Sequence, residues 1–436
     1  MGFFDFLKRK NNNTAKPAEQ KKTVNSNAVQ RASERTYDII CTSCFEKFHP
    51  SQVVFRATHT NEDVNEFFAP KIDTKLNNYR RRHNLEEMME MEVVIDPNND
   101  EHKNYISKYN WSKDGKVLLS ITDISGEATK KRLCPHCHND LPNTAGRKPV
   151  EVISVIGSTQ VGKTVYMTSL LHTLENKTSK NFDASFMSIG TRYLDELRRH
   201  ERTLFGQKNL FEATQKVDRI EPLALNFKYI NDSGAPEPTL MFFDVAGEGM
   251  VDPDYIEKHA AHIKNSTGII FLVDPKQIKK ISARINLLKG EDEYEENIVE
   301  PKDIITKLYE NFINEQEDGA THIPTAVVIT KSDMLDALEG DYISKNSNIL
   351  NNYEHIGYFN LEEYENINGE VKNFISEVDG AFKSDISAYF KNVSYFAVSA
   401  LGSSPEGNKI ERGVSPRRVD EPLLWILQQR GYIKGR

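Results

Sequence analysis

The sequence predicts an α/β protein with a mainly parallel sheet, preceded by a small α+β segment and a basic tail, and three observations carry that reading. Beyond Lys148, apolar runs of strand length alternate with longer amphipathic or charged stretches, as buried parallel strands joined by helices require. The first of these runs leads into a glycine-bracketed octapeptide and then an apolar helical stretch. All four cysteines of the 436 residues lie ahead of it, in two matched Cys-x-x-Cys pairs. Several classes of protein are removed at once. No apolar run approaches the ~20 residues that a membrane-crossing helix needs. The first residues lack the long apolar stretch of a secretory signal, and two bridges would staple little of a chain this long. The expectation is a cytoplasmic protein whose cysteines are either incidental or metal ligands.

Residues 1–36 make the tail. They carry eight Lys/Arg against three Asp/Glu, so +5 of charge sits here and −13 on the remaining 400 residues. Such a composition buries too little apolar surface to fold from about residue 11 onward. Residues 2–10 differ: Phe3, Phe4 and Leu7 share a helical face and Lys8–Lys10 follow, which suits either a frayed end folded onto its own domain or a peripheral contact with a membrane surface or a partner's groove. Phe6 stands where a myristoylation signal needs Ser or Thr.

Residues 37–147 are bracketed by Cys41-Thr-Ser-Cys44 and Cys134-Pro-His-Cys137. A Cys-x-x-Cys turn brings two thiolates to one ion, and two turns complete a four-cysteine site, which suits structural zinc better than a redox dithiol or an iron–sulfur centre. His49, His136 and His138 are then unnecessary as ligands. The 89 residues between the pairs exceed what a zinc ribbon needs, so they form an inserted subdomain. Strands are expected near 51–56, 92–95 and 116–122. A helix is expected over roughly 75–90, with Met88 and Met91 in the core and Arg80–His83 on a solvated face. Because the chain is acidic outside its tail, the ribbon reads as a fold staple or protein-docking module rather than a nucleic-acid reader.

Residues 148–436 hold the strand candidates Val150–Ile156, Leu223–Tyr229, Thr239–Phe243, Gly268–Val273, Thr325–Ile329 and Val393–Val398. After the first comes Gly157-Ser158-Thr159-Gln160-Val161-Gly162-Lys163-Thr164. The two glycines let the backbone curl with its N–H groups inward, and the following helix adds its positive end. Lys163 reaches β- and γ-phosphates and the Thr164 hydroxyl ligates Mg2+, so this octapeptide is a nucleotide phosphate loop. The third run ends in Asp244-Val245-Ala246-Gly247-Glu248, where Asp244 can hold Mg2+ and Gly247 admits a γ-phosphate to the backbone. The fifth runs into Thr330-Lys331-Ser332-Asp333. A carboxylate at Asp333 accepts from guanine N1–H and the N2 amino group, whereas adenine offers it a lone pair and a C–H. Mispairing of that kind discriminates strongly. The Lys331 stem can lie over the base, and backbone N–H groups of Ser399-Ala400-Leu401, after the last run, can reach guanine O6.

This ordered set resembles the guanine-nucleotide motifs of the TRAFAC class of P-loop GTPases over about 148–436. With the cysteine-bracketed segment and the C-terminal Pro-Arg-Arg-Val-Asp-Glu-Pro-Leu-Leu-Trp, it looks like the prokaryotic double-GTPase group. The resemblance implies a Ras-like fold with long insertions near 175–212, 276–320 and 334–392. It implies a GTP/GDP switch that hydrolyses GTP with Mg2+ and responds to a protein effector or activator, another GTPase or self-association. A non-hydrolysing GTP-binding scaffold and an ATP-dependent nucleic-acid remodeller are the alternatives. Thr214 is the expected switch threonine, with Thr203 and Thr191 competing. Thr330 replaces the usual Asn and gives up an amide that braces the phosphate loop. Glu248 replaces the usual water-orienting Gln and brings negative charge toward the γ-phosphate, so slow intrinsic hydrolysis is expected. Arg198, Arg199, Arg202 and Arg219 are the possible suppliers of compensating charge.

Overall fold

The computed structural model describes residues 37–158, 160–189, 192–211, 222–232, 235–246, 255, 263–289, 299–316 and 318–436. The expectations on residues 1–36, Thr159, Thr191, Thr214, Arg219, Gly247 and Glu248 lie outside them. No helix among the described residues is long and apolar enough to cross a membrane.

Residues 37–147 contain eight short strands and one longer helix. The strands are β1 (Ile39–Ile40), β2 (Lys47–Phe48), β3 (Val54–Arg56), β4 (Val94–Ile95), β5 (Ile106–Trp111), β6 (Leu118–Asp123), β7 (Ala128–Thr129) and β8 (Arg132–Leu133). They pair as β1–β2, β4–β3–β8 and β5–β6–β7, all antiparallel. A core of Phe55, Phe68, Ile95, Ile121 and the buried cysteines fills the space between them.

The expected helix over 75–90 is shorter, α1 (Thr74–Arg82). Asn84, with φ of 52°, turns the chain out of helix, and the following strap runs back beside α1. The buried Asn77 side chain clasps the Met88 backbone there, donating to its carbonyl at 2.9 Å and accepting from its N–H at 2.7 Å. Met88 is therefore exposed rather than in the core. Its side chain points away because its backbone, not its thioether, is the anchored part. Arg81 lies on the solvated face as expected, 3.0 Å from Glu87.

The second half is three-layered. Its sheet has seven strands: β9 (Val150–Gly157), β10 (Ala184–Ile189), β11 (Leu223–Tyr229), β12 (Thr239–Ala246), β13 (Gly268–Val273), β14 (Thr325–Ile329) and β15 (Val393–Ala397). The order is β10-β11-β12-β9-β13-β14-β15. From β12 to β15 the strands are parallel, and β10 and β11 add an antiparallel edge. All six expected strands form. β10 is an addition from within the first insertion, where its alternation of buried Ala184 and Phe186 with exposed Ser185 and Met187 covers only six residues.

The longer helices among the described residues are α2 (Lys163–Thr173), α3 (Arg192–Glu201), α4 (Lys279–Lys289), α5 (Pro301–Leu308), α6 (Leu361–Val378), α7 (Gly380–Tyr389) and α8 (Glu421–Gln429). Residues of α2, α3 and α8 pack on one face of the sheet, and residues of α4 to α7 on the other. This fixes all parallel strands with their carboxyl ends on one rim, where a doubly covered sheet places its ligand. Phe45, just past the first cysteine pair, packs edge-on against Phe243 of β12 with ring centroids 4.4 Å apart. The cysteine segment thereby rests on the sheet.

Candidate functional site

Two constellations emerge. The first is the cysteine cluster, where one sulfur from each of Cys41, Cys44, Cys134 and Cys137 lies within 4.8 Å of all the others. Cys41 and Cys137 sulfurs are 3.7 Å apart, and those of Cys44 and Cys134 are 3.6 Å apart. Four thiolates at ~2.3 Å from one tetrahedral ion would be separated by about 3.8 Å, so the cluster has the size that zinc requires.

Its two turns repeat each other bond for bond. The N–H of Phe45 donates to the Cys41 carbonyl and that of His138 to the Cys134 carbonyl, both at 3.0 Å. The N–H of Ser43 points at the Cys41 sulfur and that of His136 at the Cys134 sulfur, both at 3.4 Å. Phe45 and His138 each take a positive φ to close the turn, 60° and 54°.

The histidines have other partners. His49 caps the turn Pro50–Gln52, and the His138 ring lies 2.8 Å from the Asp73 carboxylate. Asp73 also receives Arg56 at 2.6 Å, both side chains being buried. Burial alone would raise the Asp73 carboxyl. The His138 ring, the Leu76 amide and Arg56 overcome that and hold it at about 2.

The second constellation is a cavity of about 910 Å3 on the carboxyl-end rim of the sheet. Its lining includes Ser158, Gln160, Val161 and Gly162 of the phosphate loop, Lys331 and Asp333, and Ser399, Ala400 and Leu401. Three of the four motifs thus meet around one volume. Strand register brings up the fourth: β12 runs parallel to β9 with Asp244 opposite Val155 and Ala246 opposite Gly157, so the Asp244 strand end lies beside the phosphate loop.

The loop is curled as its glycines allow. Gly162 caps α2 with φ of 90°, and a Cβ on Gly157 would stand 2.8 Å from Val161 and 3.2 Å from Leu272. The Lys163 ammonium sits within the curl, donating to the carbonyls of Gly157 at 2.7 Å and Ser158 at 3.1 Å. The Thr330 hydroxyl lies 3.2 Å from the Val161 carbonyl and 3.2 Å from that of Val273. The amide usual at this position is absent as expected, and the shorter threonine reaches the loop through its hydroxyl instead.

Asp333 accepts from two serines, one on each carboxylate oxygen, Ser399 donating at 2.6 Å and Ser404 at 3.0 Å. The Lys331 ammonium donates to the Gln160 carbonyl at 3.0 Å and contacts the buried carboxylate of Asp274, so its stem crosses the loop. Ser169 on α2 donates to the Ala400 carbonyl at 2.8 Å, tying the last loop to the phosphate helix.

Sequence reasoning missed several residues here. Asp274 caps the turn Pro275–Gln277, and Gln277 reaches from that turn to the Ser158 hydroxyl. The pattern Asp-Pro-x-Gln at a strand end signals such a reciprocal cap. Arg417 exchanges two backbone hydrogen bonds with Ser399, at 2.8 and 3.1 Å, which props the last loop. The next residue, Arg418, is buried against Glu421 and Glu363, and Glu421 also meets the His355 ring at 3.0 Å. Among the arginines considered as charge suppliers, Arg198 is paired with Glu175 and Glu201 at 2.7 and 2.8 Å. Thr203 donates to the Arg199 carbonyl at 3.2 Å, an ordinary helical contact.

Comparison with known proteins follows the same line. A sequence profile described as Double-GTPase 2 matches residues 151–374. SaeC of Mycolicibacterium smegmatis, whose name describes ESX-1 scaffolding and assembly, is 24% identical over 335 residues, which is 70% of this chain and 82% of that protein. The S. cerevisiae Ski7 GTPase-like domain bound to GTP is 14% identical, with a TM-score of 0.30 over 65% of this chain and 51% of that one. Sup35 complexed with GMPPNP is 14% identical, with a TM-score of 0.24 over 59% and 39%. The matched part spans about half or less of those two solved chains.

Proposed function

The chain belongs to the Double-GTPase 2 family, and from that premise we propose that it is a nucleotide switch that binds GTP and hydrolyses it to GDP and phosphate. The observation that carries this reading is the cavity, in which a phosphate loop, an acceptor carboxylate and a loop of backbone donors line one volume. Asp333 accepts from the guanine edge while Ser399 and Ser404 orient its oxygens. Its acceptor-only chemistry disfavours ATP. Lys163 turns from the loop carbonyls to the β- and γ-phosphates as they enter.

Hydroxyl and carboxylate oxygens suit Mg2+, which Thr164 and Asp244 would hold, with Thr214 as the switch ligand that would sense the γ-phosphate. The ion would neutralise charge on the phosphates. Gly247 brings a backbone N–H toward the γ-phosphate, and Glu248 sets the intrinsic rate low, because a carboxylate there repels an anionic phosphate. A protein activator, another GTPase or self-association supplies the missing stabilisation. Zinc held by Cys41, Cys44, Cys134 and Cys137 staples residues 37–147, which form a docking domain on the GTPase domain 148–436. The likeness to a protein named for scaffolding and assembly supports a role in building a protein complex. On this reading the protein works in the cytoplasm and residues 2–10 serve as a peripheral tether.

The test is phosphate release from GTP under multiple turnover, by dilute protein and then at rising protein concentration or with candidate activators. Slow release that accelerates on association is expected. Fast release by dilute monomer overturns the activator requirement. GTP binding without turnover under any condition favours the scaffold reading. Displacement of labelled GTP by equimolar ATP overturns guanine selection.

A further inference from the structure

The nucleotide cavity has a wall that none of the recognition motifs supplies. Leu210, Ser404 and Pro405 line it together with Asp333 and Leu401. Leu210 arrives from the first insertion, almost two hundred residues before Ser404, and a short antiparallel clasp joins the two segments. The Leu210 N–H donates to the Asn408 carbonyl and the Ile410 N–H to the Lys208 carbonyl, both at 2.8 Å, with Asn209 directly opposite Lys409.

Both arms of the clasp are anchored. On one side Phe211 stacks on His200 of α3 at 3.9 Å, and the Asn209 N–H donates to the Thr203 carbonyl at 3.1 Å. On the other, Glu406 and Lys409 exchange backbone hydrogen bonds in a tight turn, and Ile410 is buried. The clasp therefore bridges two anchored supports beside the cavity that Leu210 and Pro405 line. It also fixes the chain four residues before Thr214.

We propose that residues 208–210 are part of the nucleotide-binding site and that their clasp to residues 408–410 sets how long a bound guanine nucleotide stays. A ligand against Asp333 and Leu401 occupies a cavity that Leu210 and Pro405 also line. The wall consists of two chain segments held by two backbone hydrogen bonds, so the ligand leaves when these part. This rests on the guanine-nucleotide reading above.

Directly opposed residues of an antiparallel pair have Cβ atoms ~4.5–5.5 Å apart, close enough for a disulfide after small adjustment. The double variant Asn209→Cys with Lys409→Cys locks the clasp on oxidation and frees it on reduction. Release of a fluorescent GDP from the full chain is followed by stopped flow in both states, with the unsubstituted chain under the same oxidant and its zinc content as controls. Oxidation is expected to slow release roughly tenfold or more, since it blocks the opening of two hydrogen bonds, and reductant is expected to restore it. Leu210→Ala, which removes the wall and leaves the backbone intact, is expected to speed release severalfold. Equal release rates in the two redox states, or no change in Leu210→Ala, overturn the proposal. Failure of the unsubstituted chain to bind fluorescent GDP at all is a separate result, which overturns the guanine reading itself.

Discussion

The thiolate cluster takes its four sulfurs from two turns whose hydrogen bonds match one for one, whereas the nucleotide cavity collects its lining from loops scattered between Ser158 and Pro405. The cluster needs little from its surroundings beyond the insertion that returns the chain to it. The cavity needs a seven-stranded sheet to align its loops, then a second tier of contacts to hold each loop in place. Gln277 on Ser158, Thr330 on Val161, Ser169 on Ala400 and Arg417 on Ser399 are that tier. A site made of local turns fails all at once when one ligand is lost. A site made of propped loops should fail in grades.

The largest effect tests the first half of that contrast. Cys134→Ser removes one of the four sulfurs, and the proposed zinc site then loses most of its hold. Zinc content is expected to fall from one per chain toward zero, with a loss of about 4 kcal/mol or more of stability in the cysteine segment. The two tryptophans report separately, because Trp111 lies on β5 and the buried Trp425 on α8. Urea unfolding should shift the Trp111 transition strongly and the Trp425 transition little. A common shift of both would show that the two halves unfold as one unit.

Arg418→Met is next. The guanidinium is buried between Glu421 and Glu363, and its removal leaves two carboxylates and the His355 ring without their cation. Breaking a buried network of this kind costs about 3–5 kcal/mol, and here the loss should appear in the Trp425 transition with zinc retained. Because Arg417 props the Ser399 loop from the neighbouring position, affinity for GDP should fall as well. Unchanged stability would mean that the cavity's supports are local after all.

Asp333→Asn acts on recognition rather than on folding. An amide presents a donor where the guanine N2 amino group also donates, so affinity for GDP is expected to drop about a hundredfold or more. Xanthosine diphosphate, whose edge offers an acceptor there, should bind better than GDP. Both are measured by displacement of a fluorescent nucleotide. A variant that still prefers GDP would remove Asp333 from base recognition.

The contrast also explains what could be read in advance. Cys-x-x-Cys spacing encodes the knuckles completely, since the turn and its ligands occupy the same few residues. The phosphate loop and the six expected strands were legible for the same reason: Gly157 and Gly162 shape their own loop, and runs such as Gly268–Val273 are continuously apolar because both faces are covered. Long-range props carry no local signature. Leu210 is an ordinary residue in sequence, and the reach of Gln277 to Ser158 and of Arg417 to Ser399 arises only through the fold. The strap at 84–91 misled because Met88 and Met91 continue the helical spacing of α1. The terminator was a single Asn84 in a left-handed turn, and the buried Asn77 clasp, eleven residues from Met88, has no sequence pattern.

Thr330 gives the finest test of graded failure. Its hydroxyl reaches both the Val161 carbonyl in the phosphate loop and the Val273 carbonyl at the end of β13, and it has one proton to give. Thr330→Val keeps the shape and removes the donor, leaving a buried carbonyl short of a partner at a cost of about 1 kcal/mol. Affinity for GDP should fall about fivefold, with the urea midpoint nearly unchanged because only one loop is loosened. Thr330→Ser retains the hydroxyl and should bind GDP within about twofold of the parent. If Val and Ser bind alike, the brace contributes nothing, and the Lys331 contact with the Gln160 carbonyl must hold the loop alone. If Val binds more weakly while Ser does not, a hydroxyl is sufficient where the longer amide is usual, and the graded picture stands at its smallest step.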